Sequence, residues 1–502
     1  MQFIARAWDY EAAWAHEGVG VMALRTADQY VASLRDGRAV FYKGERVADV
    51  TEHPVIQVAI QHASIDYRMA DDPNWKDLAT VKDDDTGRLV SRYYQLPRSS
   101  DDLLKRSALI EQATRLGRTL VVLIKEIGTD ALFALHILAK QMDEKLGTKY
   151  LERVRRYHAY CRDNDLALAV AQTDVKGDRS LAPSEQPDPD LYVHIVGENA
   201  EGIRVRGAKV HTSVSTNANE IIVLPTRALG EKDREYAVSF AIPVNSKGLT
   251  LIAAPYGAAR MDRFDHPISG QHRMMETLTV FDDVLVPWDR VFLKGEWQYA
   301  GPLALTFVEF HRFTAISYKL PLVDLLVGCA RLMAEYNGLE KVTHVREKMI
   351  HLIGYAETLR ALTHHAALQC RVMEPGIAAP NQMLVNIAKH HFASQYHQAV
   401  QWVQDISGGL VVTAPSGRDL QSSEIGPYVK KYLAGKKGIS GDKRLQAFKM
   451  VRDLTASDFG GYQEVLAVHA EGSIEAEKLA IFRSYDSRAA FEYAKWVAGL
   501  QD

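Results

Sequence analysis

Between Leu191 and Val286 the apolar residues fall in short, often β-branched runs: Tyr192–Val196, Glu220–Leu224, Tyr236–Phe240 and Leu278–Phe281. Pro, Gly, Asn and Asp separate them, which is the rhythm of a sandwich or barrel. On either side the rhythm changes. Leu103–Leu138 and Tyr150–Asp165 carry apolar residues at helical steps, and long helical patterns return from Pro302, including His344–His365 and Asn381–Val403. Thr26-Ala27-Asp28-Gln29 reads as a capping box ahead of Tyr30, Val31 and Leu34. The chain is therefore expected to fold as α+β: an extension over 1–21, a helical domain over 22–160, a β domain over 161–290 and a helical domain over 291–502.

Bulk chemistry narrows the partners. With 502 residues, several cores are affordable, and a net charge of -3 gives no electrostatic reason to expect nucleic acid or an anionic membrane. The three cysteines, Cys161, Cys329 and Cys370, form no CxxC pair, a usage that fits a reducing cytosol. No run of about 18 apolar residues suggests a membrane span. Met1–Val21 lacks the flank and apolar core of a secretion signal, and Met22 is an alternative start.

Two polar, glycine-bearing segments stand out inside the β block: Thr173–Ser184, and Arg206-Gly207-Ala208-Lys209. Loops rich in amide donors and hydroxyls, set in a strand domain between helical ones, suit a planar, polar cofactor. The histidines His364-His365, His390-His391 and His397 are read as solvated helix faces, because adjacent helical residues point about 100° apart.

With these segments, the chain resembles the flavoprotein family of 4-hydroxyphenylacetate 3-hydroxylase (large component), pyoverdine chromophore oxygenase and 4-hydroxybutyryl-CoA dehydratase. Further matches are Phe264–Pro267, Phe281–Trp288, His344–Lys348, Ile406–Leu410 and Phe459–Glu464. Together they run from about Thr26 to Gly472. The resemblance implies an acyl-CoA-dehydrogenase-like fold, FAD, and usually a homotetramer. In the monooxygenase branch it also implies reduced flavin from a separate reductase and hydroxylation of a phenol through a C4a-hydroperoxyflavin. The dehydratase branch holds an iron–sulfur cluster on three Cys and one His, and clusters need thiolates. Leu120–Glu126 stands where two of those cysteines would be, Tyr318 where the last would be, and His311 where the histidine would be. No cluster and no other metal is expected. A flavin monooxygenase of phenolic or related aromatic compounds is the first reading; a cluster-free dehydratase, isomerase or dehydrogenase of an acyl-CoA is the second.

Site residues follow from the same match. Arg106 corresponds to an active-site arginine, or is a solvated helix arginine. Ile110 and Val170 replace a tyrosine and a histidine of the hydroxylases and imply a more apolar substrate pocket, a different proton acceptor or a different reaction. His311, Tyr318 and Lys319 are the candidate replacements for the lost proton acceptor, or Tyr318 and Lys319 merely cap or pack. Gln172, Thr173, Lys176 and Arg179 match the flavin-contacting loop, and Thr212 and Ser213 a hydroxyl position near flavin N5. Strand alternation lets only some of His211, Thr212 and Ser213 face the flavin. Thr226 and Arg227 match a carboxylate-gripping loop, or Arg227 is a surface arginine in a turn; Glu276 matches an acidic position of the dehydratase, or faces solvent on strand alternation. Gly408 and Gly409 either admit the FAD diphosphate of a neighbouring subunit or form a helix C-cap.

Overall fold

A computed structural model describes residues 24–254 and 262–500. The 1–21 extension and the choice between Met1 and Met22 lie outside the described residues.

Helix, strand and helix follow one another in the expected order. Thr26 caps Ala27–Ala32, with Gln29 returning the bond, as the capping box requires. The helical run read over Leu103–Leu138 is two helices, Ser100–Leu116 and Glu126–Leu146. Residues 117–125 break it: Gly117 ends the first helix, and Arg118, Thr119 and Leu123 take positive φ. The apolar run Leu120–Ile124 is buried without being helical, and burial alone does not distinguish the two conformations. Tyr150–Asp163, Thr343–Leu368 and Gln382–Ser407 match the remaining helical patterns closely, the last capped by Asn381.

Two sheets form the middle layer. One orders its strands Glu45–Arg46, Val40–Tyr42, Leu249–Ala253, Thr277–Pro287, Gly202–Lys209, His194–Glu198. The other runs Val291–Lys294, Val238–Pro243, Glu220–Val223, Leu168–Ala171. Leu168–Ala171 and Glu220–Val223 are buried at every residue, whereas Thr277–Pro287 largely alternates. Phe240 and Phe281 meet edge to face across the sheets, with centroids 5.9 Å apart. Val40–Tyr42 runs parallel to Leu249–Ala253, so a strand from before residue 160 extends the middle sheet. Gly207 shows why one strand carries glycine: with φ +128°, a Cβ there would lie 2.4 Å from the Tyr192 carbonyl.

The Ala300–Asn337 helix is the axis of the C-terminal layer, packing against Glu126–Leu146, Thr343–Leu368 and Gln382–Ser407. The segment Trp297–Asn337 is long and apolar enough to cross a membrane (mean hydropathy 1.4), yet 72% of that window is buried inside the protein. Its apolar surface is spent on neighbouring helices.

Carboxylates sew the middle layer to the helices. Asp453, on the Gly441–Thr455 helix, is fully buried. It accepts from the Ile268 amide (2.7 Å), the Ser269 amide (2.9 Å) and Ser269 Oγ (2.6 Å). Asp265 accepts from Lys449 Nζ at 3.0 Å and from the Gly417 amide at 3.1 Å. The Phe264–Pro267 motif thus works as a docking loop. Replacing Asp453 with alanine strands two buried amides and a hydroxyl, and is expected to destabilise the protein by about 3 kcal/mol. The urea midpoint of purified protein checks this; a midpoint matching the parent would show that the amides find other partners.

Candidate functional site

The polar loop after strand Leu168–Ala171 is anchored by a buried lysine. Lys209 Nζ donates to Gln172 O (2.8 Å), Asp174 Oδ1 (2.6 Å) and Leu224 O (3.0 Å). Thr226 Oγ1 donates to Gln172 O at 2.5 Å and accepts from the Asp174 amide at 3.0 Å. Arg227 lies over the Tyr192 ring, its Nε 3.9 Å from Asp174. Thr226 and Arg227, expected at the substrate, therefore brace the root of the loop. With Tyr192, Tyr236 and Lys209 they line a narrow cleft of about 10 Å³. Beyond this root Lys176 and Arg179 are exposed.

His211, Thr212 and Ser213 do not continue the strand that ends at Lys209. They form a turn in which His211 and Val214 both have positive φ, +53° and +57°. A β-branched residue at such φ is a conformational outlier held by its surroundings. The alternation rule therefore does not apply, and neighbouring side chains escape opposite-face placement. Ser213 Oγ donates to Glu276 at 2.9 Å, and Tyr462 OH donates to Glu276 Oε1 at 2.8 Å. Burial pushes the Glu276 carboxyl up to about 6, against the lowering effect of those two bonds. Thr212 is fully buried, and its Oγ1 has no hydrogen-bond partner among the described residues. An orphaned buried hydroxyl costs about 1–3 kcal/mol unless something else satisfies it. That is what a ring edge with polar acceptors would do, so the residues here fit the flavin that the resemblance implies. Burial, Lys176 and His469 together lower the pKa of His211.

The four candidate catalytic residues divide into two groups. Arg106 is buried; its Nη2 donates to Asp130 Oδ1 (2.8 Å), Thr129 Oγ1 (2.8 Å) and Glu126 O (3.0 Å), and its Nη1 to Tyr93 O (3.1 Å). Asp130 Oδ2 is 3.2 Å from His311 Nδ1. Arg106 and His311 thus meet through Asp130. On the same helix as His311, Tyr318 and Lys319 turn to Glu471. Tyr318 OH donates to Glu471 Oε1, and Lys319 Nζ is 2.9 Å from Glu471 Oε2 and 3.1 Å from Tyr318 OH. Lys389 approaches the same carboxylate at 3.8 Å and Glu477 at 3.2 Å. Burial pushes Lys319 well below and Glu471 well above their ordinary ranges, so both are driven toward the neutral form.

Ile110 and Val170 are buried, in the helical and strand layers respectively. Gly408, at φ +85°, is the C-cap of Gln382–Ser407; it and Gly409 are exposed with open space around them. Open backbone of this kind is compatible with either reading of the pair.

Sequence reasoning gave no role to Asp130, Lys209, Tyr462, Lys389 or Glu471. Asp130 carries a visible signal: an acid within Ile127–Leu138, an otherwise apolar helical stretch apart from Thr129 and His136. Glu471 carries none, since its partners lie at least 82 residues away along the chain at Lys389 and over 150 away at Tyr318 and Lys319.

Comparison with known proteins finds matches over nearly the whole chain. The profile of the 4-hydroxyphenylacetate 3-hydroxylase N-terminal domain matches residues 26–293, and that of its C-terminal domain residues 300–499. The chain is 34% identical to 4-hydroxybutyryl-CoA dehydratase/vinylacetyl-CoA-Delta-isomerase of Clostridium aminobutyricum, over 95% of this chain and 100% of that protein. It is 30% identical to the 4-hydroxyphenylacetate 3-monooxygenase oxygenase component of Thermus thermophilus, over 88% and 90%. Among solved structures, an oxygen-tolerant archaeal 4-hydroxybutyryl-CoA dehydratase from N. maritimus superposes with TM-score 0.90 at 32% identity, covering 95% of this chain and 96% of that one. A 4-hydroxyphenylacetate 3-monooxygenase oxygenase component complexed with FAD superposes with TM-score 0.86 at 27% identity, covering 94% and 98%.

The Glu276 cluster has a defined titration. Ser213 and Tyr462 donate to the ionised carboxylate, so removing either donor favours the protonated acid. Carboxyl ¹³C NMR of glutamate-labelled protein, assigned with Glu276→Gln, is expected to show a midpoint near the value of about 6 in the parent chain. Tyr462→Phe and Ser213→Ala should each move it upward. A midpoint that stays or falls in both variants would mean the contacts do not exist in solution.

Proposed function

This chain belongs to the 4-hydroxyphenylacetate 3-hydroxylase flavoprotein family, and on that premise we propose that it is an FAD-dependent monooxygenase hydroxylating a phenolic or related aromatic compound. Reduced FAD would come from a separate reductase, and the working unit would be a homotetramer. The observation that carries the reading concerns the positions where a cluster would need thiolates. Leu120–Glu126 supplies none, and Tyr318 gives its hydroxyl to Glu471 beside Lys319. Aliphatic side chains and a tyrosine already paired with a carboxylate do not fit an iron–sulfur cluster. What remains of the family's chemistry is the flavin's.

Bound in reduced form, FAD would supply the electrons that activate molecular oxygen. Thr212 would donate its free hydroxyl to the ring edge, with Ser213, Gln172 and Thr173 beside it and Lys176 and Arg179 reaching from the exposed part of the loop. Gly408 and Gly409 would receive the diphosphate of a neighbouring subunit's FAD. Ile110 and Val170 contribute apolar surface that excludes water from the reacting ring. Glu276, which accepts from Ser213 on both oxygens and from Tyr462 on Oε1, would be a second group able to hold or release a proton near neutral pH. Arg227 would meet an anionic substrate group at the mouth of its cleft.

Glu276 also favours the second reading. A buried carboxylate titrating near neutrality is the base that abstraction of a proton beside a thioester carbonyl requires. One experiment separates the two. Protein loaded with photoreduced FAD is mixed with oxygen and a panel of phenols, and separately incubated without oxygen with butenoyl- and hydroxybutyryl-CoA. Hydroxylated phenol from the first arm supports the monooxygenase; turnover confined to the second supports the thioester enzyme; turnover in neither overturns both. Thr212→Val is expected to weaken FAD binding by roughly 10-fold, as loss of one buried hydrogen bond implies. Titration of flavin fluorescence reads it, and unchanged affinity would remove Thr212 from the flavin site.

A further inference from the structure

The contact between Asp130 and His311 determines which nitrogen of the imidazole can act as a base. Asp130 sits in the second turn of Glu126–Leu146 and is fully buried. Its Oδ1 accepts from Arg106 Nη2 at 2.8 Å and from Thr314 Oγ1 at 3.0 Å. The Arg106 guanidinium is buried against it, so the carboxylate is charge-matched where it stands. That leaves Oδ2, which lies 3.2 Å from His311 Nδ1. An ionised carboxylate only accepts. The proton of a neutral His311 therefore resides on Nδ1, and the lone pair on Nε2.

The ring is also held in plane. Phe307, one turn back on the Ala300–Asn337 helix, stacks on His311 with centroids 5.3 Å apart and planes 12° apart. Nε2 makes no hydrogen bond to a described residue, and the side chain keeps 11% of its surface open. A carboxylate on Nδ1, a stacked ring and an unengaged Nε2 are the parts of an oriented imidazole base. Lysine and tyrosine further along this helix do not compete for the role, because both are engaged by Glu471.

We propose that Asp130 is a positioning residue that fixes the tautomer of His311, so that His311 Nε2 takes the proton from the substrate's hydroxyl. In that step the O–H bond breaks, the electron pair stays on the substrate oxygen, and the new N–H bond makes an imidazolium beside the Asp130 carboxylate. The ring returns the proton to water when product leaves. This deepens the monooxygenase reading and rests on it for the identity of the substrate. The tautomer does not depend on it.

Two measurements on FAD-loaded protein test the proposal. The first is ¹⁵N NMR of histidine-labelled protein, with His311→Gln as the assignment variant. The parent should carry its neutral His311 proton on Nδ1, and Asp130→Asn should shift population to the Nε2-protonated form. The second is turnover of whichever phenol the oxygen assay identifies. Asp130→Asn is expected to lower kcat by about 100-fold, the typical contribution of a positioned base, with KM within about 2-fold. Ser107→Ala removes a buried 2.7 Å bond to Ser317 between two helices of the same bundle, and should leave both readouts near the parent. Nε2 protonation in the parent overturns the proposal, as does an Asp130→Asn protein that keeps the Nδ1 tautomer and the rate. An equal loss in Ser107→Ala would overturn it too, by showing that loosened packing is the cause. If Asp130→Asn fails to fold, the parent tautomer still decides. If no phenol is turned over, the monooxygenase reading fails while the NMR outcome stands or falls by itself.

Discussion

A carboxylate taken out of water must find donors, and three acids in this protein find one in a different layer of the chain. Asp453 on a C-terminal helix takes amides from the middle layer, Glu276 of the middle layer takes the hydroxyl of Tyr462, and Asp130 of the N-terminal layer holds His311. Each unpaired acid would cost several kcal/mol in a dry interior. The layers are thus held in register by groups for which separation is expensive. Apolar contact alone would tolerate sliding, because it has no preferred direction. Directional bonds to buried acids fix how one layer sits on another.

The same ties place the reactive groups. Tyr462 belongs to the Asp458–His469 helix, which carries the Phe459–Glu464 motif, and its bond to Glu276 brings that helix onto the His211–Val214 turn. A few residues on, Glu471 enters the charged group formed by Lys319, Tyr318 and Lys389. One C-terminal stretch therefore satisfies a middle-layer acid and supplies an acid to the helical layer. Both anchors are acids shifted toward neutrality by burial, so neither end is a simple ion pair. Proton position and docking of this stretch are coupled through the same oxygen atoms.

How much of this was legible beforehand depends on the range of the interaction. The helix cap at Thr26, the strand runs and the long helices follow from local pattern and were readable in the sequence. The break at 117–125 was not, because Leu120–Ile124 is as apolar as the helices around it. The parallel pairing of Val40–Tyr42 with Leu249–Ala253 joins segments about 210 residues apart and leaves no local trace. At the site, residue types were legible and partners were not. Arg106 and His311 were both candidates, but their shared acid was not. Thr226 and Arg227 were assigned to substrate, and their contacts with Asp174 at the loop root were not legible. Thr212 and Ser213 were limited by an alternation rule that presumes a strand, whereas a turn with left-handed residues stands there.

Likeness to a dehydratase and to monooxygenases raises the question of what the scaffold conserves when the chemistry changes. A cluster site asks for soft, deprotonated sulfur facing an open volume. The hydroxyl of Tyr318 is instead donated to Glu471, with Lys319 filling the space beside it. That substitution is self-consistent: each polar atom introduced has a partner, and the partner is itself buried and paired. Restoring a thiolate at Tyr318 alone would leave Glu471 facing Lys319 without its hydroxyl donor, and would still lack the other sulfur ligands. A thiolate site here would therefore take several changes rather than one. The orphan hydroxyl of Thr212, at a turn with left-handed residues, and the Glu276 acid of raised pKa close by lie outside that set. The His211–Val214 turn and its bond to Glu276 share no atom with the Tyr318–Glu471 contact, so the two can vary separately.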